Sequence, residues 1–481
     1  MKKLYLMYPQ KKGTIAPEVY GHFTEHIGGV FYDGLWVGRD SDIPNVKGFR
    51  KEIIEKLRAI KAPVIRWPGG CYAEVYDWRD GIGEDRPTRL NWWTPNDGRY
   101  EPNEVGTHEF ADFCEAVGAK AHFAANLTAV TPMHIRNWMD YCLSPRGTTT
   151  LAKEREKNGH PEPFDVPFWG VGNENWGGGG NMEPEYYAME YRRFSTLMHN
   201  ACPKAELYAC GSNSHDYTWT HGLMRGLEHS EKHMNGFAMH YYCGAAGDPL
   251  TFSEDEWDQQ LKQAAHMEDI ITRNWNIICG HGMEEHAKLV IDEWGCWHPD
   301  GSGPSKGYNL FEQQSTMRDA MVTALTLNIF NNHCEKIRMA NAAQMVNNLH
   351  ALFLAGGEHC ITTPTYHVFD MYKEHQGAEA ITTTVTENDE RTAAVTVSAS
   401  VKDGMTLVTI GNLSCREDAV IELESVGGRL PESAQATLLY NADMHAHNTF
   451  EEPEKVTPVT VTLDLTKPVT IPKTAILSVR F

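Results

Sequence analysis

Short apolar runs recur along the first three quarters of the chain, and each ends on polar or charged residues. Eight have strand length: 19–25 (VYGHFTE), 63–67 (PVIRW), 121–127 (AHFAANL), 168–173 (FWGVGN), 207–212 (LYACGS), 236–242 (GFAMHYY), 288–293 (KLVIDE) and 337–343 (IRMANAA). Most are uninterrupted rather than alternating, the pattern of strands covered on both faces. Between them the period lengthens. Val46, Phe49, Ile53, Leu57 and Ile60 follow the three-four spacing of an amphipathic helix, with Lys51, Glu52, Lys56 and Arg58 mostly off that stripe. Met317, Met321, Leu325 and Ile329 form a second ladder, and weaker helical patterns cover 104–117, 131–143, 184–200, 217–229, 257–279 and about 365–375. Pro132 and Pro184 suit first-turn positions. Strand and helix alternating in this way predict a (β/α)8 barrel. No Gly-x-Gly-x-x-Gly follows the first strand, which argues against a dinucleotide.

The texture changes after Gly377. AITTTVTE, RTAAVTVSAS, MTLVTIGNLS, DAVIELES, SAQATLLY, VTPVTVTLDL and AILSVRF alternate, are rich in Thr and Val, and are separated by turn residues such as those at 402–404 and 426–428. This predicts an antiparallel β-sandwich, jelly-roll-like, of roughly 100 residues. Residues 3–8 look like a strand with no local partner and are expected to pair with it. The expected division is a catalytic barrel over 15–376 and a sandwich built from 1–14 and 377–481.

Composition narrows the function. The 481 residues carry a formal charge of −21, which argues against nucleic acid and anionic membranes as partners. Eleven cysteines, an odd number with no Cys-x-x-Cys, read as reduced thiols. The start, MKKLYLMYPQKKG, has too short an apolar run for a signal peptide, so a cytoplasmic protein is expected. Thirteen tryptophans offer flat faces suited to sugar rings. The 23 histidines raise the question of a metal. His22 and His26 lie four apart on a predicted strand, too far to share an ion, and neither they nor His281 and His286 show the His-Glu-x-x-His helix pattern. No metal and no cofactor are expected.

Two stretches carry the chemistry. FWGVGNENW, 168–176, is a buried strand ending at Asn173-Glu174-Asn175, and KLVIDEWGCW, 288–297, repeats the pattern with Asp292-Glu293-Trp294. The carboxyl ends of barrel strands are where such folds hold catalytic groups. These tips end strands four and seven, whose ends can converge over the barrel axis. Glycoside hydrolysis needs one acid to protonate the leaving oxygen and one carboxylate at the anomeric carbon. Glu174 is therefore assigned as acid/base, with a raised pKa in the free enzyme, and Glu293 as the ionised nucleophile. Glu25, Arg66, Tyr242 and Gln344 end strands one, two, six and eight, and with Trp297 they ring the same mouth as candidate substrate contacts.

The motifs EHIGG, RWPGGCYAEVYDWRDGIG, GVGNENWGGGG, HYY, DEW and MANAAQMVN resemble the α-L-arabinofuranosidases of glycoside hydrolase family 51. The resemblance runs from about Gly21 to Met345. It implies a retaining enzyme that releases terminal α-L-arabinofuranosyl residues from arabinose-containing oligo- or polysaccharides, with Glu174 and Glu293 in the roles just given. It further implies that Asn173 bonds the 2-hydroxyl, that Glu25, Cys71, Tyr242 and Gln344 line the furanose pocket, and that the protein is a hexamer. The competing readings are an endo-acting glucanase or xylanase on the same barrel, and a catalytically inactive carbohydrate-binding protein.

Overall fold

The computed structural model describes residues 1–94, 99–228, 233–386 and 394–481. Eight strands close into a barrel in chain order: Gly21–Phe23, Val64–Trp67, Lys120–Ala125, Phe168–Val171, Glu206–Asn213, Gly236–Gly244, Lys288–Trp297 and Ile337–Ala343. Parallel register is set by pairs such as Phe23↔Arg66, Trp67↔Phe123 and Ala125↔Val171. The second and fourth strands are buried at every residue, which explains their unbroken apolar runs. Because the strands are parallel, their carboxyl ends all open at one rim, where Arg66, Asn173 and Glu293 fall.

The chain divides into two compact units: Gly21–Tyr241 with Ile270–Glu293, and Met1–Tyr20 with Tyr242–Asp269 and Trp294–Phe481. In the first, aromatic rings fill the space behind the second to fourth strands. Trp67 stacks on Phe110 at 5.1 Å, and Phe123 stacks on Trp138 at 4.9 Å. Each such ring removes a large apolar surface from water.

The second unit holds a nine-stranded, mostly antiparallel sheet. Its hydrogen bonding is continuous, yet Leu4, Leu6, Val397, Ile410, Ile421, Ala436 and Leu477 share one core, so the sheet bends over itself. The N-terminal strand, Lys2–Thr14, is an interior strand of it, antiparallel to Glu379–Val385 and parallel to Ala419–Val426, as the unpartnered 3–8 run suggested. The opposite face of the sheet is covered by the helix Met317–Asn332. Asn328 accepts from Ser398 and Thr409 at 2.7 and 2.8 Å, and Asn331 donates to Ser398 at 3.0 Å.

Three expectations are corrected. The 46–60 stripe is helical only over Lys51–Ala59; Asn45–Val46 and Phe49–Arg50 form a hairpin around Lys47 and Gly48, both at positive φ, and Val46 is exposed. The 257–279 pattern is two helices, Glu254–Ala265 and Met267–Gly280, the first opened by a Ser253–Glu256 capping box. The first barrel strand is shorter than 19–25, because Pro17–Tyr20 form a 3-10 turn. Pro132 and Pro184 do open their helices. Of the expected elements, residues 229, 387 and 391–393 lie outside the described residues.

Candidate active site

The fourth strand stops at Val171. Gly172 then takes φ +88° and Glu174 φ +43°, a left-handed turn that only the first of the two adopts without cost. That turn is pinned from below by Glu74, a buried carboxylate that accepts from the backbone of Leu127, Thr128 and Asn173 and from Asn175 Nδ2, at 2.7–2.8 Å. Glycines in the chain after it leave no room for a side chain. A Cβ on Gly179 would lie 1.8 Å from the Asn173 carbonyl oxygen, and one on Gly178 would lie 2.9 Å from Cys71 Sγ.

Arg66 ties the two tips together. Its guanidinium donates to Glu293 Oε1 at 2.7 Å and to Asn173 Oδ1 at 2.6 Å, and pairs with Asp292 Oδ2 at 3.2 Å. Although burial works against its charge, Asp292 and Glu293 hold the guanidinium above its ordinary value. His240, inside the sixth strand, bridges the carboxylates. Nδ1 is 2.9 Å from Glu174 Oε1 and 3.5 Å from Glu293 Oε2, and Nε2 is 3.2 Å from Asp292 Oδ1. One oxygen of Glu174, one of Glu293 and a ring nitrogen of His240 lie within 4.8 Å of one another.

Cys71 and Glu25 join the same cluster. The Cys71 thiol donates to Glu174 Oε2 at 3.2 Å, and Asn173 Nδ2 lies 3.7 Å from its sulfur. Burial, reinforced by Glu174, keeps that thiol protonated. Glu25 Oε1 accepts from the backbone of Gly70 and Tyr72 at 3.1 and 2.9 Å and from Trp93 Nε1 at 3.3 Å. Burial and the Glu293 charge push its carboxyl up to about 7.

The directions at the two tip carboxylates are the reverse of those expected from sequence. Burial alone would raise Glu174, but the hydrogen bond and charge of His240 draw it below its ordinary value. At Glu293, burial outweighs His240 and Arg66 and raises the carboxyl. Burial opposes charge on His240 and Asp292 too. Even so, Glu293 and Asp292 carry the imidazole up to about 10, while Arg66 and His240 draw Asp292 down to about 2.

Thus Glu174, Glu293, Arg66, Asn173, Cys71 and Glu25 meet in one cluster. Tyr242 and Trp297 meet each other, rings 5.1 Å apart and near perpendicular, with Trp297 37% exposed. Gln344 is buried just past the eighth strand, across a cis peptide from Ala343. Sequence reasoning missed His240 and Glu74. The first had a signal: Ala238, His240 and Tyr242 alternate on one side of a strand whose end was already suspected. Glu74 had only its unusual place between apolar neighbours. Among the described residues Cys296, His298 and Asp319 also converge, but Asp319 is engaged by His298 at 2.8 Å and by the helix-capping Thr316. His26 is held by Glu101 at 3.1 Å and Trp67 at 3.0 Å, and His281 by Glu228 at 3.0 Å.

Comparison with known proteins agrees with this geometry. The family model of the α-L-arabinofuranosidase C-terminal domain matches residues 292–474, and that of the α-L-arabinofuranosidase 1 domain matches 56–260. An intracellular exo-α-L-arabinofuranosidase of Bacteroides ovatus is 37% identical over 467 residues, 93% of this chain and 88% of its own. The crystal structure of the family 51 arabinofuranosidase of Xanthomonas axonopodis pv. citri superposes over 100% of both chains with a TM-score of 0.92 at 36% identity. That of Thermotoga petrophila RKU-1, a thermostable family 51 α-L-arabinofuranosidase, gives 0.89 at 25% identity, again over 100% of both chains.

Proposed function

The chain belongs to the α-L-arabinofuranosidases of glycoside hydrolase family 51, and from that membership we propose that it removes terminal α-L-arabinofuranosyl residues from arabinan, arabinoxylan or their oligosaccharides, with retention of configuration. Glu293 attacks the anomeric carbon while Glu174 protonates the departing oxygen. Glu174 then takes a proton from the water that opens the glycosyl-enzyme. The observation that carries this reading is the approach of one oxygen of Glu174 and one of Glu293, within 4.8 Å of each other beside a ring nitrogen of His240. Inversion needs a gap of about 6.5–9.5 Å for an attacking water, so this closeness favours direct displacement. Arg66, paired with Glu293 at 2.7 Å, stabilises the ionised nucleophile.

Asn173, Cys71 and Glu25 supply polar atoms for the ring hydroxyls, and Tyr242, Gln344 and Trp297 complete the substrate contacts. Exo action fits the near-complete burial of Glu25, Asn173 and Glu293, since a cleft for a running chain would expose them. A cytoplasmic site of action fits the eleven free cysteines and the name of the Bacteroides relative; among the described residues no helix is long and apolar enough to cross a membrane. A hexamer follows from the family resemblance and is read by light scattering on the purified protein.

The enzyme is expected to release nitrophenol from the aryl α-L-arabinofuranoside and not from the aryl xyloside, and to leave carboxymethylcellulose intact. Glu174→Ala is expected to lose most activity on polysaccharide and to recover on activated aryl substrates when azide is added. Loss that azide cannot relieve excludes Glu174 as acid/base.

A further inference from the structure

The reading of Glu174 as acid/base requires a proton on it at the moment of bond cleavage, yet the hydrogen bond and charge of His240 draw this carboxylate below its ordinary value. We infer that His240 stores that proton in the free enzyme and hands it to Glu174 when the sugar fills the pocket. The inference rests on the acid/base assignment of Glu174.

A neutral imidazole donates from one nitrogen only. Both nitrogens of His240 face carboxylate oxygens: Nε2 faces Asp292 at 3.2 Å, and Nδ1 faces Glu174 at 2.9 Å and Glu293 at 3.5 Å. Either the ring is an imidazolium or one of those carboxylates is protonated. The surrounding charges select the first. Glu25, Glu174, Asp292 and Glu293 crowd the cluster, and the guanidinium of Arg66 is already divided between Glu293 and Asp292. Of the remaining titratable neighbours, the Cys71 and Cys210 thiols are held protonated by burial, Glu74 accepts from four donors of its own, and His122 helps draw Asp292 down. Burial opposes charge on His240, but Glu293 and Asp292 outweigh it.

The transfer needs no outside reagent. The Nδ1–H bond of His240 breaks, an O–H bond forms on Glu174 Oε1, and the ring keeps Nε2–H towards Asp292. The imidazolium–carboxylate pair becomes a neutral pair. The Glu174 side chain is 20% exposed and that of His240 is 6%, so a furanose in the pocket strips solvent chiefly from Glu174 and penalises the charged pair. In the second half-reaction Glu174 takes a proton from water and returns one to Nδ1. The cycle closes with no net change. His240 is a positioning and proton-holding residue that acts through Glu174.

The test is the pH profile of kcat/KM on phenyl α-L-arabinofuranoside, a substrate whose leaving group needs the proton. In the wild type the alkaline limb reports loss of the proton shared by His240 and Glu174. His240→Gln leaves that proton to Glu174 alone, so the limb is expected to fall by about one pH unit or more. Asp292→Asn, which removes the anchor of the ring, is expected to move it the same way. With a dinitrophenyl leaving group, which departs unaided, the His240→Gln loss in kcat/KM is expected to shrink at least about tenfold. A limb that stays in place while the rate falls equally on both substrates makes His240 merely structural and overturns the inference. Should His240→Gln not fold, ¹⁵N spectra of the wild-type imidazole at pH 8 decide. Two imidazolium-type nitrogens support the inference, and a neutral tautomer overturns it. Azide rescue of Glu174→Ala is independent of all this, so an unmoved limb in an enzyme that passes the rescue test rejects the proton store alone.

Discussion

A methyl group on Gly70 would sit 2.5 Å from Glu293 Oε1, and one on Gly69 would sit 2.6 Å from Glu25 Cγ. These neighbouring glycines let two carboxylates pack against a backbone turn, and Gly70 N–H also binds Glu25. Gly70→Ala is therefore expected to cost about 100-fold or more in kcat/KM, because a displacement near 1 Å at a reacting group has that effect. Circular dichroism should show the fold intact. A loss below threefold on the aryl arabinofuranoside would mean that Glu293 tolerates the shift. Glu25 offers a second test. Its folded carboxyl is raised to about 7, so Glu25→Gln, isosteric with the protonated form, is expected to bind substrate at pH 6 nearly as the wild type does and to differ most above pH 7, read as KM against pH. At this scale the sequence was legible where a polar residue interrupts an apolar run: Glu174, Glu293, Arg66 and Glu25 all stand at such breaks. For His240 the alternation showed the side of the strand but not the partners, because a histidine inside a strand looks the same whether it meets carboxylates or core.

At the scale of elements, barrel strands were recognisable because burial on both faces leaves no polar alternation. The strand Ile337–Ala343 falls on its expected bounds and is buried at every residue but Arg338. Helices were legible where the apolar stripe was continuous, and misread where a turn imitated it, as at Val46 and Phe49. The helix Met317–Asn332 is nearly all buried, so its ladder of Met321, Leu325 and Ile329 is only one of several packed faces. Its Asn328, Asn331 and Asn332 face the C-terminal sheet, which periodicity could not show. Asn328 binds Ser398, Thr409 and Thr396 in a buried network. Asn328→Ala strands those hydroxyls and is expected to cost about 2–4 kcal/mol in chemical denaturation. A cost under about 0.5 kcal/mol would show that water replaces the amide.

At the scale of the whole molecule, acid sensitivity follows from histidines that the fold keeps neutral. Burial holds His22 and His375 down to about 3, against an ordinary value of 6.5. Their unfolded forms take up protons that the folded forms refuse. Stability is therefore full above about pH 6.5 and falls below it by about 1.4 kcal/mol per pH unit for each, until about pH 3. His375 sits between Ser400 and Thr409 at 2.7 and 3.0 Å, so His375→Gln is expected to flatten the slope of unfolding free energy between pH 6 and 4; an unchanged slope would place the proton uptake elsewhere. The barrel and the C-terminal sheet were both visible in the change of texture at Gly377. The continuity of the nine-stranded sheet was not, since strand order is decided by pairing between segments hundreds of residues apart. The central claim is that residues 174 and 293 work as one retaining pair. Mass spectrometry of the protein incubated with a slow 2-fluoro arabinofuranoside tests it most directly. The account predicts a covalent sugar on the peptide that contains Glu293; a sugar on any other peptide, or turnover to the inverted anomer with none, contradicts it.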